Sequence, residues 1–191
     1  MSDATPEEAD EINGIVLDFL PHGRADDDRP RYQKRPLAHV LGEAQFQLFE
    51  LALADDPDVN IGDRLRIDPP DSVIESAHEL GYDELSTGAR SELEYVVQEI
   101  IDGDEKRFVD VYNDAQPITL RLHQLNLLPG IGKKLRNTIL DERKRGPFES
   151  FDELEERING LHDPKGILVD RIMEELRDES LKYRMFVRRE Q

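Results

Sequence analysis

The chain has 191 residues, 43 of them Asp or Glu against 25 Lys or Arg, giving a formal charge of −18 with no cysteine and no tryptophan. That length suits one large domain or two small ones. The missing cysteines exclude disulfides, thiolate metal sites and a Cys nucleophile, and the acidity taken alone argues against a polyanionic partner.

The charge is unevenly spread. Residues 1–117 hold 29 acidic side chains against 10 basic, whereas residues 118–191 hold 14 against 15. A partner repelled by the first part need not be repelled by the second. Asp (22) slightly outnumbers Glu (21), and Arg (18) far outnumbers Lys (7). An acidic, lysine-poor surface holds water and cations, as expected of a halophilic cytosolic protein. No apolar run approaches a membrane span, and the start, MSDATPEEADE, has neither a basic n-region nor an apolar h-region. The expectation is a soluble, cytoplasmic protein without a membrane partner.

In chain order, residues 1–11 form an acidic tail predicted to be disordered. Residues 12–86 carry strand character at 12–20, 36–41, 46–53 and 62–67, in β-branched or alternating runs. Turn-rich strings such as "PHGRADDDRPR" and "ADDPDVNIGD" separate them. In "VNIGDRLRI" a tight Gly-Asp turn feeds a strand with Leu65 and Ile67 on one face, a pattern common in small five-stranded barrels. A fifth strand is expected within 73–78 or around 82–85. The loop "RADDDRPRYQKRP" sets Arg29, Arg31, Lys34 and Arg35 around Tyr32, the composition of a single-strand stacking site. Its Asp26-Asp27-Asp28 run lacks a defined cation-loop geometry and is expected to be solvated.

Residues 87–117 read as a helical connector. Leu93, Val96, Val97, Ile100 and Ile101 recur at helical spacing, Asp102-Gly103 stops that helix, and Phe108, Val111 and Tyr112 continue on a second. Residues 118–179 read as helices over 120–127, 131–144, a third from Ser150 with a Ser150-x-x-Glu153 capping box, and 166–177. Residues 180–191 form a basic tail whose alternation over 181–187 predicts a strand.

Between the first two of those helices lies "LLPGIGKKL", which resembles a helix-hairpin-helix turn. Gly130 and Gly132 allow positive φ and leave no Cβ in the way of a ligand, and Ile131 plugs the turn into the core. The amides that follow stand at the positive end of a helix dipole, where a nucleic-acid phosphate fits, and Lys133 and Lys134 add charge. A 34-residue offset carries Gly132 onto Gly166, making "HDPKGILV" a degenerate second turn. Pro164 there has no N–H to donate, so that turn is expected to be mainly structural, with Lys165 and Gly166 as weaker contacts.

The order of parts resembles an archaeal family known as domain of unknown function 655, with "LPGIGKKL" as the most specific string. The resemblance implies a nucleotide- or nucleic-acid-binding protein without an established reaction. The fold expected is α+β: an N-terminal OB-like five-stranded barrel with added helices, then an all-α tandem helix-hairpin-helix domain. The five histidines show no metal spacing, His123 reads as a core or boundary residue, and "GIGKKL" lacks what a P-loop needs. Asp152 reads as a helix start rather than a glycosylase aspartate. No catalytic residue, metal or cofactor is expected. The function expected is non-catalytic nucleic-acid binding, RNA slightly ahead of DNA. The alternatives are docking to a ribosomal or polymerase protein and, behind it, a DNA-repair accessory role.

Overall fold

The computed structural model describes residues 11–189, so the acidic tail lies outside it except for Glu11, as do the last two residues of the basic tail. The chain divides into two compact units, residues 11–96 with 186–189, and residues 97–185.

The first unit is a curled, five-stranded antiparallel sheet, a half-barrel. Its strands are β1 (Ile12–Leu20), β2 (Leu37–Gly42), β3 (Leu48–Leu53), β4 (Arg64–Asp68) and β5 (Ile74–Leu80), ordered β4-β1-β2-β3-β5. β1 serves two neighbours: Ile12–Ile15 pairs with β4, and Gly14–Leu20 with β2. A register break between Val16 and Asp18 bends it, as a bulge does. Val16, Ala38, Val40, Phe49, Leu51, Leu65 and Ile67 form one buried apolar cluster, with Leu65 and Ile67 on one face of β4 as expected. The fifth strand runs later than the first expectation and ends before the second.

Asp18 pairs with His39, His39 with Glu50, and Glu50 with His78. Directly opposed residues share a face, so these four form a polar row across β1, β2, β3 and β5.

Helix α1 (Thr87–Gly103) buries Leu93, Val96, Val97 and Ile101, the stripe that its period predicts. In the second unit α2 (Glu105–Asp114) buries Phe108, Val109 and Tyr112. The Asn113 amide locks Phe148 by two 2.8 Å main-chain hydrogen bonds, and the Tyr112 hydroxyl donates to the Pro164 carbonyl at 2.6 Å. Then come α3 (Lys133–Arg143), α4 (Phe151–Arg157) and α5 (Pro164–Arg177). Ser150 caps α4, accepting from the Glu153 N–H at 3.0 Å. Asp152 lies in that helix's first turn.

Three expectations fail. The helix over 120–127 is only a 3-10 turn, Gln124–Leu127, because the Thr119 hydroxyl takes the N–H groups of Arg121 and Leu122 and holds a tight turn instead. The last helix starts at Pro164, two residues before Gly166. Residues 181–187 form no strand. Their main chain is bound by the buried pair Arg171–Glu175: Arg171 donates to the Tyr183 carbonyl (2.7 Å), and Glu175 accepts the Met185 N–H (2.9 Å).

At Gly14 a Cβ would run into Val40 Cγ1 and sit 3.0 Å from the Leu41 carbonyl oxygen. Gly14→Ala is therefore expected to cost about 1–3 kcal/mol by overpacking. An unchanged urea midpoint would show that β1 and β2 can move apart to admit the methyl group.

Candidate functional site

The turn before α3 is built from Leu128, Pro129, Gly130, Ile131 and Gly132. Ile131 is buried, and its N–H donates to the Leu128 carbonyl at 3.2 Å. Only Gly130 has positive φ, +81°; Gly132, the N-cap residue of α3, is extended at φ −85°, ψ −170°. The requirement for left-handed backbone thus falls on Gly130 alone. At Gly132 the absent side chain matters differently, since nothing caps the helix. Its first turn, opened by exposed Lys133 and Lys134, contains no acidic residue. A Cβ on either glycine would meet nothing within 4 Å, so the main chain faces open space there.

Asn126 makes this turn rigid. Its amide oxygen accepts from the His123 N–H (3.2 Å) and from Arg136 Nη1 (3.0 Å), and its amide nitrogen donates to the Ile131 carbonyl (3.3 Å). His123 is buried, and its Nδ1 accepts the Leu125 N–H at 3.0 Å. Burial, then the charges of Arg143 and Arg136, hold its pKa below the usual histidine value.

A second turn of the same construction lies thirty residues on, not thirty-four. Ile158 stands for Leu128, Gly160 (φ +92°) for Gly130, and buried Leu161 for Ile131, with the Leu161 N–H donating to the Ile158 carbonyl at 3.3 Å. Pro164 is therefore not the counterpart of Gly130. The helix after this turn starts in another way. Asp163, at φ +48°, turns its own carboxylate onto α5 and accepts the Gly166 N–H at 3.1 Å. A side chain at Gly166 would collide with that carboxylate. Lys165 pairs with Asp102 at 2.5 Å. Of the predicted phosphate contacts, Lys165 and Gly166 are thus engaged internally, while Gly130, Gly132, Lys133 and Lys134 are open.

A groove of about 480 Å³ runs between Gly132, Lys133, Lys134, Leu135 and Thr138 on one side and Asn159 and Gly160 on the other. Asn126 has no place in the sequence reading, Asn159 and Gly160 read only as a break between helices, and Thr138 only as part of a helix face. Setting "LPGIG" over "INGLH" would have found Asn159 and Gly160.

The β1–β2 loop divides its cations. Arg29 is chelated by Asp27, Nη2 to Oδ2 at 2.7 Å and Nε to Oδ1 at 3.0 Å. Those hydrogen bonds pull the Asp27 carboxyl down to about 2. Arg35 pairs with Glu75 on β5. Arg31, Tyr32 and Gln33 stand outward on a 3-10 turn, Tyr32 at 84 % exposure, and Lys34 is half-buried. The aromatic group that a stacking site requires is therefore presented, with fewer free charges around it than the composition suggests.

That loop is anchored at its other end by Glu50, only 7 % exposed. Arg24 reaches Glu50 Oε2 through Nε (2.7 Å) and Nη2 (2.6 Å), and His39 Nε2 lies 2.9 Å from the same oxygen. The Ser86 N–H donates to His39 Nδ1 at 3.1 Å, which makes Nε2 the nitrogen that donates to Glu50. Burial pushes the Glu50 pKa up, but the hydrogen bonds from His39 and Arg24 prevail and hold it below the usual value.

Known proteins resemble this chain over most of its length. Residues 10–188 match the model of a family described as "Protein of unknown function (DUF655)". An uncharacterised protein of Methanocaldococcus jannaschii is 40 % identical over 176 residues, spanning 91 % of this chain and 78 % of the relative. The crystal structure of Af1531 from Archaeoglobus fulgidus, assigned to the same family, is 40 % identical with a TM-score of 0.84, over 93 % of this chain and all of that one. The chain belongs to the DUF655 family.

The Glu50 anchor makes a signed prediction. A carboxylate whose pKa falls on folding stabilises above its unfolded value, here near 4.5, and that stability is lost as pH drops through the lower folded value. Glu50→Gln should cost about 2–4 kcal/mol at pH 7 and progressively less below pH 4.5. Denaturation midpoints against pH would refute the anchor if the two proteins ran parallel throughout.

Proposed function

We propose that this member of the family is a non-catalytic nucleic-acid-binding protein that grips the phosphate backbone at the start of α3. One observation carries the reading. Two turns of matching construction each lead into a helix; α5 is closed by its own Asp163 carboxylate, whereas α3 opens uncapped onto a groove beside Lys133 and Lys134. An acceptor supplied from outside would do for α3 what Asp163 does for α5. Exposed main-chain N–H groups at a helix start favour an anion, and phosphate oxygens meet them without regard to sequence. The matched turns support a tandem helix-hairpin-helix domain in which only the first hairpin binds.

The half-barrel supports an OB-type fold, whose middle strands and loops receive single strands. In that reading Tyr32 stacks on a base, Arg31 and Lys34 flank the strand, and Arg29 and Arg35 brace the loop. RNA is favoured slightly over DNA, by analogy of fold.

Net acidity does not oppose this function. In molar salt the screening length is about 3 Å, so remote charges count little. About three phosphate contacts would still lose roughly a thousandfold in affinity between 0.15 M and 2 M salt through counterion release. Short hydrogen bonds from fixed main-chain groups are what remains useful there.

Gly132→Ala should fold normally, since its φ is ordinary and its Cβ meets nothing. Binding of labelled single-stranded RNA, single-stranded DNA and duplex in molar KCl should nonetheless fall about tenfold or more, the loss of one or two charge-assisted hydrogen bonds. The Lys133→Gln/Lys134→Gln double variant should flatten the slope of log affinity against log salt by about 2. Wild-type affinity and slope in both variants would end the proposal.

A further inference from the structure

Ahead of the α3 turn in the chain stands a feature that the phosphate grip leaves unexplained. Leu120 is the most exposed large apolar residue described, at 107 %. It does not dangle from a loose loop. The Ile118 and Thr119 N–H groups both donate to the Leu122 carbonyl (2.8 and 3.0 Å), and the Thr119 hydroxyl accepts from Arg121 and Leu122 (3.2 and 3.0 Å). Below them Gln116 and Gln124 exchange a main-chain and a side-chain hydrogen bond, at 2.9 and 2.8 Å, flanking a bridge between Pro117 and His123. A framework of this kind fixes the direction in which an apolar side chain projects into water.

The same framework is joined to the α3 turn. Asn126 accepts the N–H of His123, at the base of the Leu120 turn, and donates to the Ile131 carbonyl beside Gly132. One side chain therefore ties the base of the Leu120 turn to the carbonyl that precedes the uncapped helix start.

Charge narrows the choice of partner. Residues 115–140 contain no Asp or Glu in 26 positions, and they carry Arg121, Lys133, Lys134 and Arg136. In a chain with 43 acidic residues in 191, so long a gap is a marked local departure. It covers both the Leu120 tip and the α3 turn. A stretch without carboxylates suits a polyanion better than a basic protein. Apolar side chains that nucleic-acid-binding proteins hold out in this way enter between base steps, with a cation alongside.

We infer that Leu120 is an insertion wedge, entering an opened base step of the nucleic acid whose phosphate lies at α3; the inference rests on that phosphate reading. Arg121 takes the flanking backbone. Prising apart a fully stacked duplex is costly, so the ligand that fits is one with a step already open, a bulge or a junction of single and double strand. The wedge thus adds a preference for structure to a grip without sequence preference.

Leu120 is fully exposed, so truncating it removes no packing. The chain has no tryptophan, so Leu120→Trp places a single fluorescent reporter at the tip. Both variants are titrated in molar KCl with an RNA duplex carrying a one-nucleotide bulge, with the same duplex lacking it, and with DNA versions of each. Wild type should prefer the bulged duplex, and Leu120→Ala should lose about tenfold on it while binding the perfect duplex unchanged. The Leu120→Trp emission should be quenched on bulged ligand by stacking. If Leu120→Ala binds both duplexes as wild type and the emission does not change, the wedge is wrong while the phosphate grip stands. If wild type binds no nucleic acid, both readings fall. Emission that responds only to a copurifying protein would replace the wedge by protein docking.

Discussion

Every helix begins with main-chain N–H groups that its own turns cannot satisfy, and how each start is completed divides this molecule into structural and available parts. Ser86 completes α1, its hydroxyl accepting from Ala89 while donating to Asp18. Ser150 completes α4 and Asp163 completes α5. The start of α2 has no side-chain cap, but Asp104 and Glu105 lie beside it and suit its dipole. Among the described helices only α3 combines an absent side-chain cap with lysines and open space. Side chains close three of the five starts and acidic residues suit the fourth, while the fifth, α3, is left without either.

Much of this was legible because it is local. The first four strands, the stripe on α1 and the Ser150 cap follow from periods and capping residues that neighbouring positions determine. The string around Gly130 was legible as a turn into a helix, with Gly130 at positive φ and Ile131 buried beneath it. What stayed hidden was set at a distance. Competition from the Thr119 hydroxyl turned a helical pattern into a tight turn, and the Arg171–Glu175 pair took main-chain groups that a strand at 181–187 would have needed. The spacing of the second turn was misjudged for a related reason. Gly166 looked like the partner of Gly132, but it is small to admit the Asp163 carboxylate.

The loop between β1 and β2 shows why composition is a weak guide to available charge. Four cations and a tyrosine suggested an open, positive platform. Two of those cations are bound by neighbouring carboxylates, one within the loop and one across to β5. What the loop gains is rigidity, since Arg24 fixes its first part to a buried carboxylate and Arg35 fixes its last. A platform so braced loses less conformational freedom when it engages a partner. What it still presents to solvent is Tyr32 with Arg31 beside it.

The polar row through Asp18, His39, Glu50 and His78 also bears on how the sheet avoids wrong alignments. Side chains alternate between faces along a strand, so sliding β3 past β2 by one position would turn Glu50 toward the apolar side now filled by Phe49 and Leu51. The slipped sheet would strand an anion in hydrocarbon and leave Arg24 and His39 without their acceptor. Aliphatic residues alone would tolerate such a shift far better. The row acts as a key cut into the middle strands, admitting one alignment of the half-barrel and penalising its neighbours.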